Sequence, residues 1–109
     1  MKIAIIGSRS IKEINIEEYV KNADEIVSGG ACGVDSIAAA YAKEKGIRLT
    51  VFLPEYSKFG RAAPIVRNRQ IVDYSDKIIA FWDGRSKGTE YTVKYAQRVN
   101  KSCEVVEIK

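Results

Sequence analysis

The sequence predicts a three-layer α/β sandwich around a five-stranded parallel sheet in the order 3-2-1-4-5. Three observations carry this. Five short apolar runs recur along the chain, segments with helical apolar spacing separate them, and glycine-rich turns follow the first, second and fourth runs. Strict strand–helix alternation demands right-handed crossovers, and hence parallel strands. At 109 residues the chain has the length of one domain, spanning 1–109, with a core large enough to need no staples.

The strands are expected at Lys2–Ile6, Glu25–Ser28, Arg48–Leu53, Lys77–Trp82 and Glu104–Ile108. Each run is rich in Val, Ile or aromatic residues and ends near Gly, Pro or Asp. The runs Ile3–Ile6 and Ile78–Trp82 are apolar throughout, as suits central strands covered on both faces. A first helix is expected after Asn15, with Glu18 completing a capping box and Ile16, Tyr19, Val20 and Ala23 on one stripe. The second runs from Val34 to Lys45, with Val34, Ile37, Ala38, Tyr41 and Ala42 inward and Gly46 as its stop. Pro64 opens the third, which runs to Tyr74. The fourth covers Thr89 to Asn100, with Thr92, Val93, Ala96 and Val99 toward the sheet.

Composition narrows the chemistry. Hydrophobic residues at 46% and charged residues at 29% describe a globular chain, not a disordered one. There is no histidine, so a Ser-His-Asp triad, a Cys-His pair and a His-ligated metal are excluded. Cys32 and Cys103 form no Cys-x-x-Cys motif, and two scattered cysteines suit a reducing cytoplasm. Cys32 falls near a helix start, where a thiol is activated, but no base adjoins it in sequence. No apolar run approaches the ~20 residues of a membrane span, and the short first run is no signal peptide. A cytoplasmic protein with no membrane partner is therefore expected.

The net charge of +4 is unevenly placed. Residues 1–55 sum to −1 and residues 56–109 to +5, and the stretch 56–72 holds Lys58, Arg61, Arg67 and Arg69 with no acid. Such a stretch is either a solvated face or an anion site.

In an open parallel sheet, ligands bind beyond the carboxyl ends of the strands where strand order reverses. Here that point lies between strands 1 and 4. The loops there are Gly7-Ser8-Arg9-Ser10, Gly29–Asp35 and Asp83–Thr89, and they hold six of the eight glycines. Two of them feed helix N-termini, whose free N–H groups and dipole favour anions. Tight turns alone would account for glycines, but three such loops on one edge favour a phosphate cradle. Neither Gly-x-Gly-x-x-Gly nor Gly-x-x-x-x-Gly-Lys-Ser/Thr occurs, so neither a dinucleotide fingerprint nor a P-loop is present, and no cofactor is expected.

The expected ligand-binding residues are Gly7, Ser8, Arg9, Gly29, Gly30, Asp35, Arg67, Asn68, Arg69, Asp83, Gly84, Ser86, Gly88 and Thr89. Arg67 is expected to fork onto a phosphate as an exposed charge in the first turn of the third helix. Asp35 either favours the start of the second helix or binds a ribose hydroxyl or base. Trp82 belongs to the core or walls off a base. Tyr91 and Tyr95, one turn apart, pack internally or form a subunit contact.

The blocks Gly7-Ser8-Arg9, Ser28–Asp35, Arg67-Asn68-Arg69 and Phe81–Thr89 occur in the order of the SLOG superfamily. The chain resembles its small YspA/YpsA-related branch over nearly its whole length. The resemblance implies a Rossmann-like fold that binds nucleotides or nucleotide-derived ligands. In the related lonely-guy phosphoribohydrolases an arginine stands about eight positions before a Ser-Asp pair, which Ser75-Asp76 here places at Arg67. Their Pro-Gly-Gly-x-Gly-Thr-x-x-Glu loop is matched at Gly88-Thr89, but Thr92 stands where the catalytic glutamate is expected. Glu90 comes two places early, roughly 200° around a helix. Arg67 and Glu90 are thus the catalytic candidates for cleaving the N-glycosidic bond of a nucleoside 5′-monophosphate. The phosphate half of the site is implied and the acid/base half is altered. Gly7-Ser8-Arg9 and Gly33-Val34-Asp35 also resemble the DNA-processing protein A family, which implies single-stranded DNA as a further partner. Few aromatics interleave the basic stretch for base stacking. The leading expectation is a phosphorylated small-molecule ligand bound by a homodimeric, nucleotide-binding domain.

Overall fold

The computed structural model describes residues 1–31 and 33–108. Cys32 lies outside the described residues. The sheet runs β3-β2-β1-β4-β5, all pairs parallel, as the alternating pattern predicts. Its strands are β1 (Lys2–Gly7), β2 (Glu25–Ser28), β3 (Arg48–Val51), β4 (Lys77–Trp82) and β5 (Ser102–Glu107). The helices are α1 (Val34–Lys45), α2 (Tyr56–Phe59), α3 (Ala63–Tyr74) and α4 (Lys87–Arg98). Among the described residues no helix is long and apolar enough to cross a membrane.

The continuous apolar runs sit where two-sided burial requires them. Ile3 to Ile6 and Ile78 to Phe81 are buried throughout, and alternate residues serve opposite faces. Ile3, Ile5, Ile26, Ile79 and Phe81 pack under α1. Ala4, Ile6, Val27, Ile78 and Ala80 pack with Ile71 and Val72 of α3 and Ala96 of α4. Burying each isoleucine contributes roughly 1.5–3 kcal/mol. The edge strands β3 and β5 are half-exposed. β3 stops at Val51, earlier than its apolar run, because Leu53 precedes Pro54, which has no N–H to donate. Phe52 makes the last bond there, its N–H donating to the Ser28 carbonyl at 2.9 Å.

α1 has the expected bounds. Gly46 ends it at φ 68°, a left-handed conformation that favours glycine, and the Ile47 N–H closes onto the Ala42 carbonyl. α4 begins two residues sooner than expected, since Ser86 caps it by accepting the Thr89 N–H at 3.3 Å. Thr92 and Ala96 face inward, but Val99 follows the helix end and is exposed.

Two expectations need correction. The helix after Asn15 is a single 3-10 turn, Glu17–Tyr19. Ile16 takes the cap position without a side-chain bond; Asn15, one residue earlier, accepts the Glu17 N–H at 3.0 Å, and among the described residues no Glu18 bond completes the expected box. The rest of the connection is an irregular strap that buries Ile11, Ile16 and Val20 against β1. Three isoleucines and two asparagines in this short segment are poor helix formers, and a short helix does not recover its nucleation cost. The second correction is the short α2 and the 3-10 turn Gly60–Ala62, both expected as loop.

At the amino end of the sheet a carboxylate is fully engaged. Glu25, 6% exposed, accepts from the Thr50 hydroxyl at 2.8 Å and from the Tyr74 hydroxyl. Arg48 lies 3.9 Å away, and the Lys2 ammonium sits 4.0 Å over the Tyr74 ring. The Tyr74 bond outweighs burial and holds the Glu25 carboxyl below its ordinary range.

Candidate functional site

At the opposite, carboxyl end a cavity of about 490 Å³ opens where strand order reverses between β1 and β4. Its floor depends on Gly7. A Cβ there would lie 2.6 Å from both the Phe81 carbonyl oxygen and Val34 Cγ2, so glycine lets the first turn of α1 settle onto the β1–β4 junction.

One wall is the β4–α4 loop, which ties itself together. Asp83 accepts the Arg85 and Ser86 N–H groups at 2.8 and 2.9 Å, and the Ser10 hydroxyl at 2.7 Å. These bonds, Ser10 first, hold its carboxyl well below the usual carboxylate range. Ser8 is buried under the loop, accepting the Asp83 N–H at 3.1 Å, and the Trp82 indole donates to the Ser86 carbonyl at 2.9 Å. The amides of Arg85, Ser86 and Thr89 are therefore already satisfied within the chain. A Cβ on Gly88 would meet open space.

The other wall joins β2, α1 and α3. Asp35, 8% exposed, accepts the Ala31 N–H at 3.0 Å. Burial pushes its carboxyl up, and the Ala31 N–H and the Arg67 guanidinium draw it partly back. Arg67 is equally buried. It donates through Nη1 to the Gly29 carbonyl and through Nε to Asn68 Oδ1 at 2.8 Å. A Cβ on Gly29 would come within 2.8 Å of Nη1, so this glycine makes room for the guanidinium. This corrects the expectation of an exposed charge. Arg67 is the fifth residue of α3, past the first turn, and two arms of its fork already hold the protein.

Of the expected residues, the cavity brings together Gly7, Arg9, Gly29, Asp35, Arg67 and Asn68, with Asp83, Ser86, Gly88 and Thr89 opposite. Ser8 lies beneath it, and Gly30 is turned toward Leu53. Gly84 stands outside the lining. Arg69 points to α4, donating to the Tyr91 hydroxyl at 2.7 Å and lying against the Tyr95 ring. Tyr95 in turn donates to Asp73 at 2.8 Å, so the tyrosine stripe packs internally against α3. Glu90 is exposed beside Lys94 at 3.7 Å and does not line the cavity; Thr92 does, its hydroxyl donating to the Gly88 carbonyl at 2.8 Å.

The lining also includes Ser10, Arg85, Pro64 and Ile71, which sequence reasoning did not single out. The last two were findable, because Pro64, Arg67, Asn68 and Ile71 repeat at three- and four-residue spacing on one helix face. Arg85 carried no such signal.

No protein-family model matches the chain, and no curated protein matches it. Among solved structures it is similar to DNA processing protein A from Helicobacter pylori, a protein with a single-stranded DNA binding mode. The two share 24% identity at a TM-score of 0.76, over 100% of this chain and 66% of that one. The likeness shows a shared Rossmann-like fold. This chain spans 66% of that protein chain's length.

Proposed function

We propose that the chain is a single SLOG-like domain, 1–109, that binds a nucleotide or nucleotide-derived phosphorylated small molecule at the switch point. The observation that carries this reading is the charge of the cavity. Arg9, Arg67 and Arg85 line it against two carboxylates, Asp35 and Asp83, and Asp83 is tied into its own loop. The volume of about 490 Å³ lies in the small-molecule range. Arg9 and Arg85 are exposed at the mouth, where both can meet a phosphate. We place the protein in the cytoplasm with no cofactor; the tyrosine stripe that suggests a homo-oligomer is engaged by α3 within the chain. Titration calorimetry with nucleoside mono-, di- and triphosphates tests the reading. Micromolar binding of at least one is expected, and none at millimolar concentration would overturn it.

Two observations favour other outcomes of the same screen. The fold shared with a single-stranded DNA binding protein, together with exposed Lys58 and Arg61 just before α3, favours an oligonucleotide. That reading requires an oligodeoxythymidine to outcompete mononucleotides, with a steep salt dependence. The acid Asp35 beside Arg67 favours N-glycosidic hydrolysis in place of the expected glutamate. Release of free base from nucleoside monophosphates decides that case.

A further inference from the structure

The cavity has two chemically different ends. Toward β4 stands the Arg85 guanidinium, beside the open space at Gly88 at the start of α4, while the Asp83 carboxylate there is tied into its own loop. Toward β2 stands one acceptor, the Asp35 carboxylate, against Gly29 at the end of β2. A carboxylate offers about four acceptor sites; among the described residues the Ala31 N–H fills one at 3.0 Å, and the Gly29 backbone N–H also acts on it. The remaining capacity serves a ligand that donates.

A phosphate cannot fill that role, because it only accepts and is repelled by the charge. Sugar hydroxyls and the amino groups of bases both donate. Distance separates them. The strands that end at the two walls, β2 and β4, flank β1 and so lie two strand spacings apart, about 10 Å. Hydrogen bonds of about 2.8 Å at each end leave roughly 4 Å between the ligand atoms that make them. A hydroxyl of a sugar ring sits at that range from its own 5′-phosphate. The polar edge of a base, beyond the ring and the glycosidic bond, is further away.

Resting on the nucleotide reading above, we propose that Asp35 accepts the vicinal hydroxyls of a ribose whose 5′-phosphate lies toward α4, so that the site selects ribonucleotides over 2′-deoxyribonucleotides. Arg67 acts through Asp35 and Gly29 as a positioning residue. Its guanidinium draws the carboxyl that burial raises partly back toward the charged form, and its bond to the Gly29 carbonyl fixes the neighbouring loop. Recognition of a hydroxyl is sharp in such a place, because a ligand lacking it leaves a buried charged acceptor unpaired.

The probes are ribose 5-phosphate, 2-deoxyribose 5-phosphate, adenosine 5′-monophosphate and its 2′-deoxy analogue, titrated into the whole chain by calorimetry or followed by amide chemical shifts. Each ribo form should bind roughly 10- to 100-fold tighter than its deoxy partner. In Asp35→Asn the ribo forms should weaken by a similar factor, and the preference should vanish. The isosteric amide still accepts from Ala31, so the loop stays in place. Equal affinity of ribo and deoxy forms in the natural protein would overturn the proposal while leaving the nucleotide reading standing. So would a preference that survives Asp35→Asn. Absence of binding by all four at millimolar concentration, with nucleotides also failing in the screen above, would overturn both. The comparison within the natural protein needs no variant to fold.

Discussion

Two buried carboxylates stand at opposite ends of the same sheet, and they are treated differently. Glu25, at the amino end, is enclosed by Thr50, Tyr74, Arg48 and Lys2, and its carboxyl is held below the ordinary range. Asp35, at the carboxyl end, is buried to a similar degree but faces a cavity, and burial pushes its carboxyl up. A polar group that serves the fold is surrounded by the chain's own partners. One that waits for a ligand keeps acceptor capacity open and bears the desolvation cost itself.

The strongest challenge to this contrast is Arg67→Ala, because Arg67 belongs to both categories. Its removal strands the Gly29 carbonyl and leaves Asp35 buried without its cation. A stability loss of about 2–3 kcal/mol is expected in urea unfolding. A loss under about 0.5 kcal/mol would mean that the guanidinium is held for a ligand alone. Pairing the change with Asp35→Asn should restore part of the loss, which a double-mutant cycle measures.

Glu25→Gln comes next, at about 1–2 kcal/mol, since the amide accepts more weakly from the two hydroxyls. The deficit should depend on pH. A depressed carboxyl contributes stability that is complete above the ordinary glutamate range and is lost as pH falls through the folded value. The stability difference between the natural protein and the Glu25→Gln variant should therefore close on acidification, which urea melts at stepped pH would follow.

Arg9→Ala should act on ligand affinity alone. The side chain is exposed and lines the cavity mouth, so a phosphorylated ligand should weaken about 10-fold with the midpoint of unfolding unchanged. The smallest expected effect on stability is that of Asp35→Asn without ligand, within about 0.5 kcal/mol of the natural protein and on the stabilising side at neutral pH. The sign follows from its raised carboxyl. Ionisation is disfavoured in the fold, so the charge costs stability at neutral pH and the cost is relieved as pH falls through the raised value toward the unfolded one. A clear destabilisation by Asp35→Asn would place Asp35 with Glu25 as a residue that serves the fold.

The strand order was readable because each clue was local and repeated. Continuous Ile-rich runs mark the central strands, and Gly46 and Pro64 punctuate the helices beside them. The strap is not legible in the sequence because Ile16, Tyr19, Val20 and Ala23 satisfy helical spacing, while an irregular segment around a single 3-10 turn packs the same residues against the core. In the site, the location and most of the lining were legible, because the glycine loops and strand order point to one edge. The burial of Arg67 was not, because it depends on Gly29 and Asp35, which are distant in sequence. Nor was the divergence of Arg69 from its neighbours. Adjacent helical residues point about 100° apart, and only the packing of α3 against α4 determines which one faces the cavity.

The strap between β1 and β2 separates two properties that usually travel together. Ile11 and Ile16 are as deeply enclosed as the central strands, yet among the described residues the N–H groups of 12–16 make no backbone bond. This stretch is held by side-chain burial without a ladder. Its amides should exchange with deuterium long before those of β1, which it covers, and report a separate, shallower opening. Apolar burial weakens on cooling, so that opening should become easier in the cold while the rest of the sheet stays closed. The strap also carries Ser10, which pins Asp83. A chilled protein would then loosen the β4–α4 wall of its cavity before any strand parts.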